Sequence, residues 1–216
     1  MTLTRMTRRS LIGALSATAL VSTPAARAAT CAFTPPGPEG PFYPVAFREM
    51  DADMTLVRGA EASAKGQVIE VVGRVLNKTC RPLASAVIDV WQANADGRYD
   101  HPQDAGNPSP LDPNFQGFAR LIADARGEFR FRTVKPGGYP VSDTWARPPH
   151  IHIKVTPVFE PYLITQMYFA GDPLNDGDRL FNAIDPAARD RALVDLSTVS
   201  ADNIPTGTFD LVVGAG

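Results

Sequence analysis

The chain has little of what most metal and redox sites are built from: two cysteines and three histidines in 216 residues. Two cysteines exclude a four-cysteine zinc site or an iron–sulfur cluster and allow at most one disulfide. Excess charge is also lacking. A formal net charge of −2 gives no electrostatic footprint for nucleic acid. The apolar run Leu11–Ser22 is too short for a permanent transmembrane helix, so the mature chain is expected to have no membrane partner. What the chain has in quantity is turn formers, with 20 Pro and 17 Gly, which disfavour a helical bundle. At 44% hydrophobic and 20% charged residues it can bury an ordinary core, which excludes a wholly disordered chain.

Residues 1–28 read as an export signal rather than as part of the domain. Arg5, Arg8 and Arg9 precede the apolar run, and small residues ending Ala26-Arg27-Ala28 follow it, which predicts cleavage before Ala29. Thr7-Arg8-Arg9-Ser10-Leu11-Ile12 resembles a twin-arginine signal, the kind that carries folded proteins; an ordinary secretory signal with two arginines is the alternative. Either predicts a periplasmic or secreted location. Export places Cys31 and Cys80 in an oxidising compartment and predicts a bridge between them, against the alternative of two unpaired thiols.

Beyond an N-terminal arm over residues 29–66, residues 67–216 read as strands and loops. Gln67–Leu76 alternates, with Ile69, Val71 and Val75 on one face and Glu70 and Arg74 on the other. Ala86–Gln92, Phe118–Ala123, Glu128–Thr133, His150–Val155, Leu163–Phe169 and Thr208–Val213 bring the expected strands to seven. Asp124-Ala125-Arg126-Gly127 is a hairpin-turn signal. Only Pro186–Leu196 looks helical. The expected fold class is all-β, an antiparallel β-sandwich core with long loops and one short helix. The polar stretch 93–117 is too long for a plain connection and is expected to be functional or disordered.

Chemistry concentrates at His150-Ile151-His152. On a strand, residues i and i+2 share a face, so both imidazoles can meet one metal ion. An iron(II) site of the two-histidine, one-carboxylate kind wants an acid close by, and none lies between Asp143 and Glu160. If His101 joins the pair, a three-histidine zinc site with water in the fourth position is possible. Tyr99 and Tyr139, in turns that do not themselves favour bulky aromatics, are either packing residues or ligands of another kind.

Five segments settle on a family. Trp91-Gln92-Ala93-Asn94-Ala95-Asp96-Gly97-Arg98-Tyr99, Pro110–Phe115, Phe131–Pro140, Arg147-Pro148-Pro149-His150-Ile151-His152 and Leu163–Pro173 resemble, in order, the intradiol ring-cleavage dioxygenases. Within that family the resemblance is to the iron-bearing β subunit of protocatechuate 3,4-dioxygenases. It implies one non-haem Fe(III) held by Tyr99, Tyr139, His150 and His152, a hard cation that suits phenolate oxygen. It implies a small aromatic diol and O2 as substrates, a cis,cis-muconate as product, and Tyr139 as the phenolate that yields to substrate. Arg147 is implied to stabilise the electron-rich bound substrate, with Gln166 as its partner.

Gly40-Pro41-Phe42 resembles a pocket segment that the protocatechuate enzymes take from a second subunit, so one chain here is expected to supply both parts. Trp91 matches a pocket-lining tryptophan, whereas Tyr139-Pro140-Val141 replaces the family's Tyr-Pro-Trp. Both protocatechuate and catechol are open as substrates, and no oligomeric state is specified. Two readings compete with the dioxygenase: a zinc hydrolase or hydratase on His101, His150 and His152, and a non-enzymatic transthyretin-like binding module.

Overall fold

A computed structural model describes residues 31–214; the export segment falls outside the described residues. The strands in chain order are β1 (Val68–Asn77), β2 (Val87–Trp91), β3 (Phe118–Ile122), β4 (Glu128–Val134), β5 (Tyr139–Ser142), β6 (Trp145–Arg147), β7 (His150–Thr156) and β8 (Leu163–Phe169). Four short strands follow: β9 (Leu193–Val194), β10 (Thr198–Val199), β11 (Pro205–Thr208) and β12 (Leu211–Val213).

Two five-stranded sheets stack face to face. In the first, β1 pairs with β4 along one edge and with β11 and then β12 along the other, with β10 outside β11. The second has the order β3-β2-β7-β8-β9. Ile69, Val71, Val75, Phe129 and Phe131 from the first sheet pack against Ile88, Val90, Ile151, Ile153, Val155 and Met167 from the second. The all-β sandwich expected from the sequence is therefore the fold, and period-two alternation is what places these residues between the sheets.

Several local expectations are corrected. The sheets are mixed: β11 and β12 run parallel to β1, and β9 runs parallel to β8. Between β8 and β9 the chain makes a long excursion through turns, and only a long connection can return it to the starting end of the sheet. The expected strand over Thr208–Val213 is broken at Phe209-Asp210, where Asp210 Oδ1 accepts from the Arg74 N–H at 2.9 Å in place of a strand partner. The Asp124–Gly127 turn forms, but its arms enter opposite sheets, because Ala119 and Leu121 on one arm and Phe129 and Phe131 on the other fill the core from opposite sides. Glu70, expected to face outward, is buried and takes an ion pair from Arg130 at 3.1 Å.

The helix expected at Pro186–Leu196 is a 3₁₀ turn, Pro186–Ala192, that gives way to β9. Asp185 caps it and Pro186 starts it, yet Leu193 and Val194 pair with β8 instead, so sheet pairing overrides local helical preference. The α-helix that does form is one turn, α1 (Arg179–Asn182), capped by Asp178. No helix among the described residues is long and apolar enough to cross a membrane.

The N-terminal arm is fastened along its length, crossing the second sheet over residues 35–43 and touching the first on either side of that stretch. Cys31 is bonded to Cys80, their Cα atoms 5.3 Å apart across a sequence separation of 49; closing such a loop stabilises by about 4 kcal/mol on the chain-entropy model. Further along, Gly37 N–H donates to Ile164 O at 2.9 Å, Thr165 Oγ1 to Pro35 O at 2.7 Å and Gln166 Nε2 to Pro38 O at 2.9 Å. Tyr43 Oη donates to Asp89 at 2.8 Å, and Arg120 closes on the same carboxylate at 2.6 Å.

Candidate active site

The second sheet has a second buried face. Ile151, Ile153 and Val155 of β7 point into the sandwich, so His150 and His152 point out of it. The register sets Tyr168 opposite His150 and Gln166 opposite His152 on β8, and Trp91 opposite His152 on β2. All five side chains are buried, because the arm, the 93–117 stretch and the β5–β6 hairpin cover this face.

The two tyrosines come from turns that interlock. Asn94 organises the first: its Oδ1 accepts from the N–H groups of Asp96 and Arg98 at 3.0 Å each, and its backbone carbonyl accepts from Gly137 N–H at 2.9 Å. Asp104 then holds the Tyr99 N–H at 2.8 Å. The polar stretch is thus a folded loop, tied by its own Asx turns. Gly97, at φ +78°, and Gly137 are required where the two turns cross, since a Cβ on either would collide with backbone of the opposite turn. This crossing brings Tyr99 beside Tyr139, the first residue of β5.

The four rings close a circuit. Ring centroids are 5.8 Å apart for Tyr99–Tyr139, 5.8 Å for Tyr139–His150, 4.9 Å for His150–His152 and 6.3 Å for His152–Tyr99. Trp91 lies flat on His152 at 4.9 Å and 12°, and Phe42 of the arm stacks on Tyr99 at 4.4 Å. His150 Nδ1 is fixed on Pro148 O at 2.7 Å, which leaves Nε2 to present a lone pair. Tyr99 Oη, His150 Nε2 and His152 Nδ1 are buried without any hydrogen-bond partner. Three such orphans in one place call for a ligand, because an unpaired buried polar atom is costly.

Protonation fits the same end. Burial foremost, with Arg147 next, holds His150 well below its ordinary value and His152 at about 3, so both imidazoles are neutral donors near pH 7. Burial pushes the phenols of Tyr99 and Tyr139 up, so they stay protonated unless a cation stabilises the phenolates.

Beside the circuit opens a cavity of about 460 Å³. Gly40, Pro41 and Phe42 of the arm, Tyr139, Arg147, His152 and Gln166 all line it, so the arm and the sandwich meet at this cavity. Arg147 is buried, with Nη2 donating to Gln166 Oε1 at 2.6 Å and Tyr168 Oη at 3.2 Å, and Nε to Asp178 at 3.0 Å. Trp91 is stacked flat on His152 and is not on the wall of this cavity. His101 also stays apart from the pair. Its Nδ1 accepts from Gln103 N–H at 3.1 Å to cap the Pro102–Asp104 turn. Among the described residues no three His, Cys, Asp or Glu side chains converge on a common point, so the three-histidine zinc reading lacks its third ligand.

Sequence reasoning missed four residues. Tyr168 was legible, being two residues from Gln166 on one strand and hence on its face. Trp145 lines the cavity from β6, supplying an indole although Val141 stands where the family motif has one. Asp104 lies on the wall, and Asp178 carries Arg147; neither belongs to a pattern that would mark it.

Two histidines and two tyrosines around buried, unpartnered polar atoms, beside an open cavity, mark this face as a candidate site rather than plain core. A family model described as Dioxygenase matches residues 39–214. The protocatechuate 3,4-dioxygenase beta chain of Burkholderia cepacia is 42% identical over 173 residues, 76% of this chain and 72% of the relative. The 6-chlorohydroxyquinol 1,2-dioxygenase of Cupriavidus pinatubonensis is 31% identical over 170 residues, 70% of this chain but only 59% of that relative's length. Among solved structures, the dioxygenase domain of a dioxygenase–carbohydrate-binding fusion from Streptomyces sp. SirexAA-E superposes with a TM-score of 0.63 at 29% identity, covering 86% of this chain and 100% of that one. The chain belongs to the intradiol ring-cleavage dioxygenases, a family of oxidoreductases, which also removes the transthyretin-like reading.

Proposed function

We propose that this protein cleaves a catechol-type ring between its two hydroxyl-bearing carbons with O2, giving a cis,cis-muconate, and that Tyr99, Tyr139, His150 and His152 hold an Fe(III) for that purpose. The observation that carries the proposal is that Tyr99 Oη, His150 Nε2 and His152 Nδ1, on three rings of one circuit, are buried and unpartnered, beside the half-buried phenol of Tyr139. Two neutral imidazoles and two phenols form the nitrogen and hard-oxygen donor set that ferric iron prefers.

When bound, the ion would supply a site for both catechol oxygens and draw electron density from the ring so that O2 can attack it. The protein's own part follows from placement. Tyr139 lines the cavity while Tyr99 is covered by Phe42, so Tyr139, which would be a phenolate with the ion bound, is the side chain placed to accept a catechol proton, and burial favours the phenol that results. Arg147, immobilised by Asp178, Gln166 and Tyr168, presents fixed N–H donors where negative charge develops on the substrate. The arm and the β5–β6 hairpin keep bulk water from the reacting face.

The Cys31–Cys80 bridge supports an exported setting, periplasmic or secreted, in line with the signal read over residues 1–28. The test is the visible spectrum of the iron-loaded protein before and after anaerobic addition of catechol. A tyrosinate-to-iron charge-transfer band that shifts with the diol is expected. A protein that stays colourless with iron sinks the Tyr99 and Tyr139 assignment.

A further inference from the structure

Accepting ring cleavage as the activity, the cavity wall says which diols fit. Much of it is apolar, formed by Phe42, Pro140, Val141, Trp145 and Leu180. Its one Lys or Arg is Arg147, and that charge is already matched. Asp178, fully buried, takes Arg147 Nε on Oδ1 at 3.0 Å, receives Trp145 Nε1 on the same oxygen at 3.1 Å, and caps α1 by accepting from Phe181 N–H on Oδ2 at 3.1 Å. The one acidic residue on the wall itself is Asp104, an anion that repels another.

The remaining cations nearby are directed elsewhere. Lys135 pairs with Asp172 at 3.7 Å and Lys154 with Glu39 at 3.3 Å. Arg179 is exposed, its guanidinium 5.1 Å from the Trp145 ring centroid, and it is not on the wall. A ring carboxylate entering this cavity would leave water and meet no unmatched positive charge on the wall itself, which is costly.

We infer that Asp178 is a specificity-setting and positioning residue: by neutralising Arg147 and fixing the Trp145 indole, it makes the cavity select uncharged catechols and reject a ring carboxylate. The experiment compares 4-methylcatechol with protocatechuate on the iron-loaded protein, since the two differ at one ring position by a methyl against a carboxylate. The uncharged diol is expected to have a kcat/KM higher by about tenfold or more. Asp178→Asn, which keeps the shape and frees the charge on Arg147, should move that ratio toward protocatechuate by a similar factor; a merely structural role would lower both substrates equally. Val141→Lys, at a half-exposed wall position, should move the ratio the same way and guards against a misfolded Asp178 variant. Turnover of protocatechuate as fast as 4-methylcatechol, or an unmoved ratio in the Val141 variant, overturns the inference alone. Turnover of neither diol overturns the ring-cleavage reading and this inference with it.

Discussion

The second sheet buries both of its faces, and it builds them from alternate residues of the same strands. Ile151, Ile153 and Met167 face inward; His150, His152 and Gln166 face outward, and all six are 2% exposed or less. Inward, contact is apolar and complete, and burial itself stabilises. Outward, the same depth holds nitrogens without partners and imidazoles kept neutral against their ordinary basicity. Burial depth therefore does not separate core from site. What separates them is whether the buried groups are satisfied by one another or await something else.

The largest test of that contrast uses adjacent residues. His150→Ala should abolish iron retention and turnover while leaving the denaturation midpoint nearly unchanged. Ile151→Ala should keep iron in the folded fraction but cost about 2–5 kcal/mol of stability. Iron analysis and urea melts on both variants decide; if His150→Ala unfolds the protein as Ile151→Ala does, the outer face is simply more core.

A smaller effect sharpens the picture within the outer face. Arg147→Met should lower kcat by about 10²–10³-fold, the usual loss for one fixed group aimed at developing charge, with the charge-transfer band retained. Loss of the band along with the activity would make Arg147 part of the metal scaffold instead.

The smallest effect reads the faces through pH. In metal-free protein His152 is held at about 3 and His150 well below its ordinary value, against about 6.5 in the unfolded chain. Between those values the unfolded chain binds more protons, so this contribution to stability is complete above pH about 6.5 and declines as pH falls. Its slope is at most about 1.4 kcal/mol per pH unit per histidine. Urea midpoints between pH 7 and 4 should show this decline, and His152→Gln should flatten it whereas Ile153→Val should not. A flat profile in the unaltered protein would mean that these imidazoles do not sit neutral and buried.

Much of this was legible beforehand, for identifiable reasons. The i, i+2 spacing of His150 and His152 is a property of any strand, and alternating residues in β1, β4 and β7 name the core face directly. The arm's Gly40-Pro41-Phe42 and the pairing of Arg147 with Gln166 came through motif resemblance. The failures share a cause as well. Thr208–Val213 was expected to be one strand and is broken where Asp210 meets Arg74; Pro186–Leu196 was expected to be helical and yields to pairing with β8. In each case a partner distant in sequence decided the outcome.

By itself, then, the sequence determined the periodicities, the turn chemistry and the donor types, because these are local consequences of side-chain shape and spacing. Only the tertiary structure decided that the 94–98 and 136–139 turns cross closely enough to set two phenols beside two imidazoles. It alone brought Asp178 beneath Arg147, 31 residues away in sequence. Which charges meet, and therefore which are neutralised, depends on distances through space, and those exist only once the chain has folded.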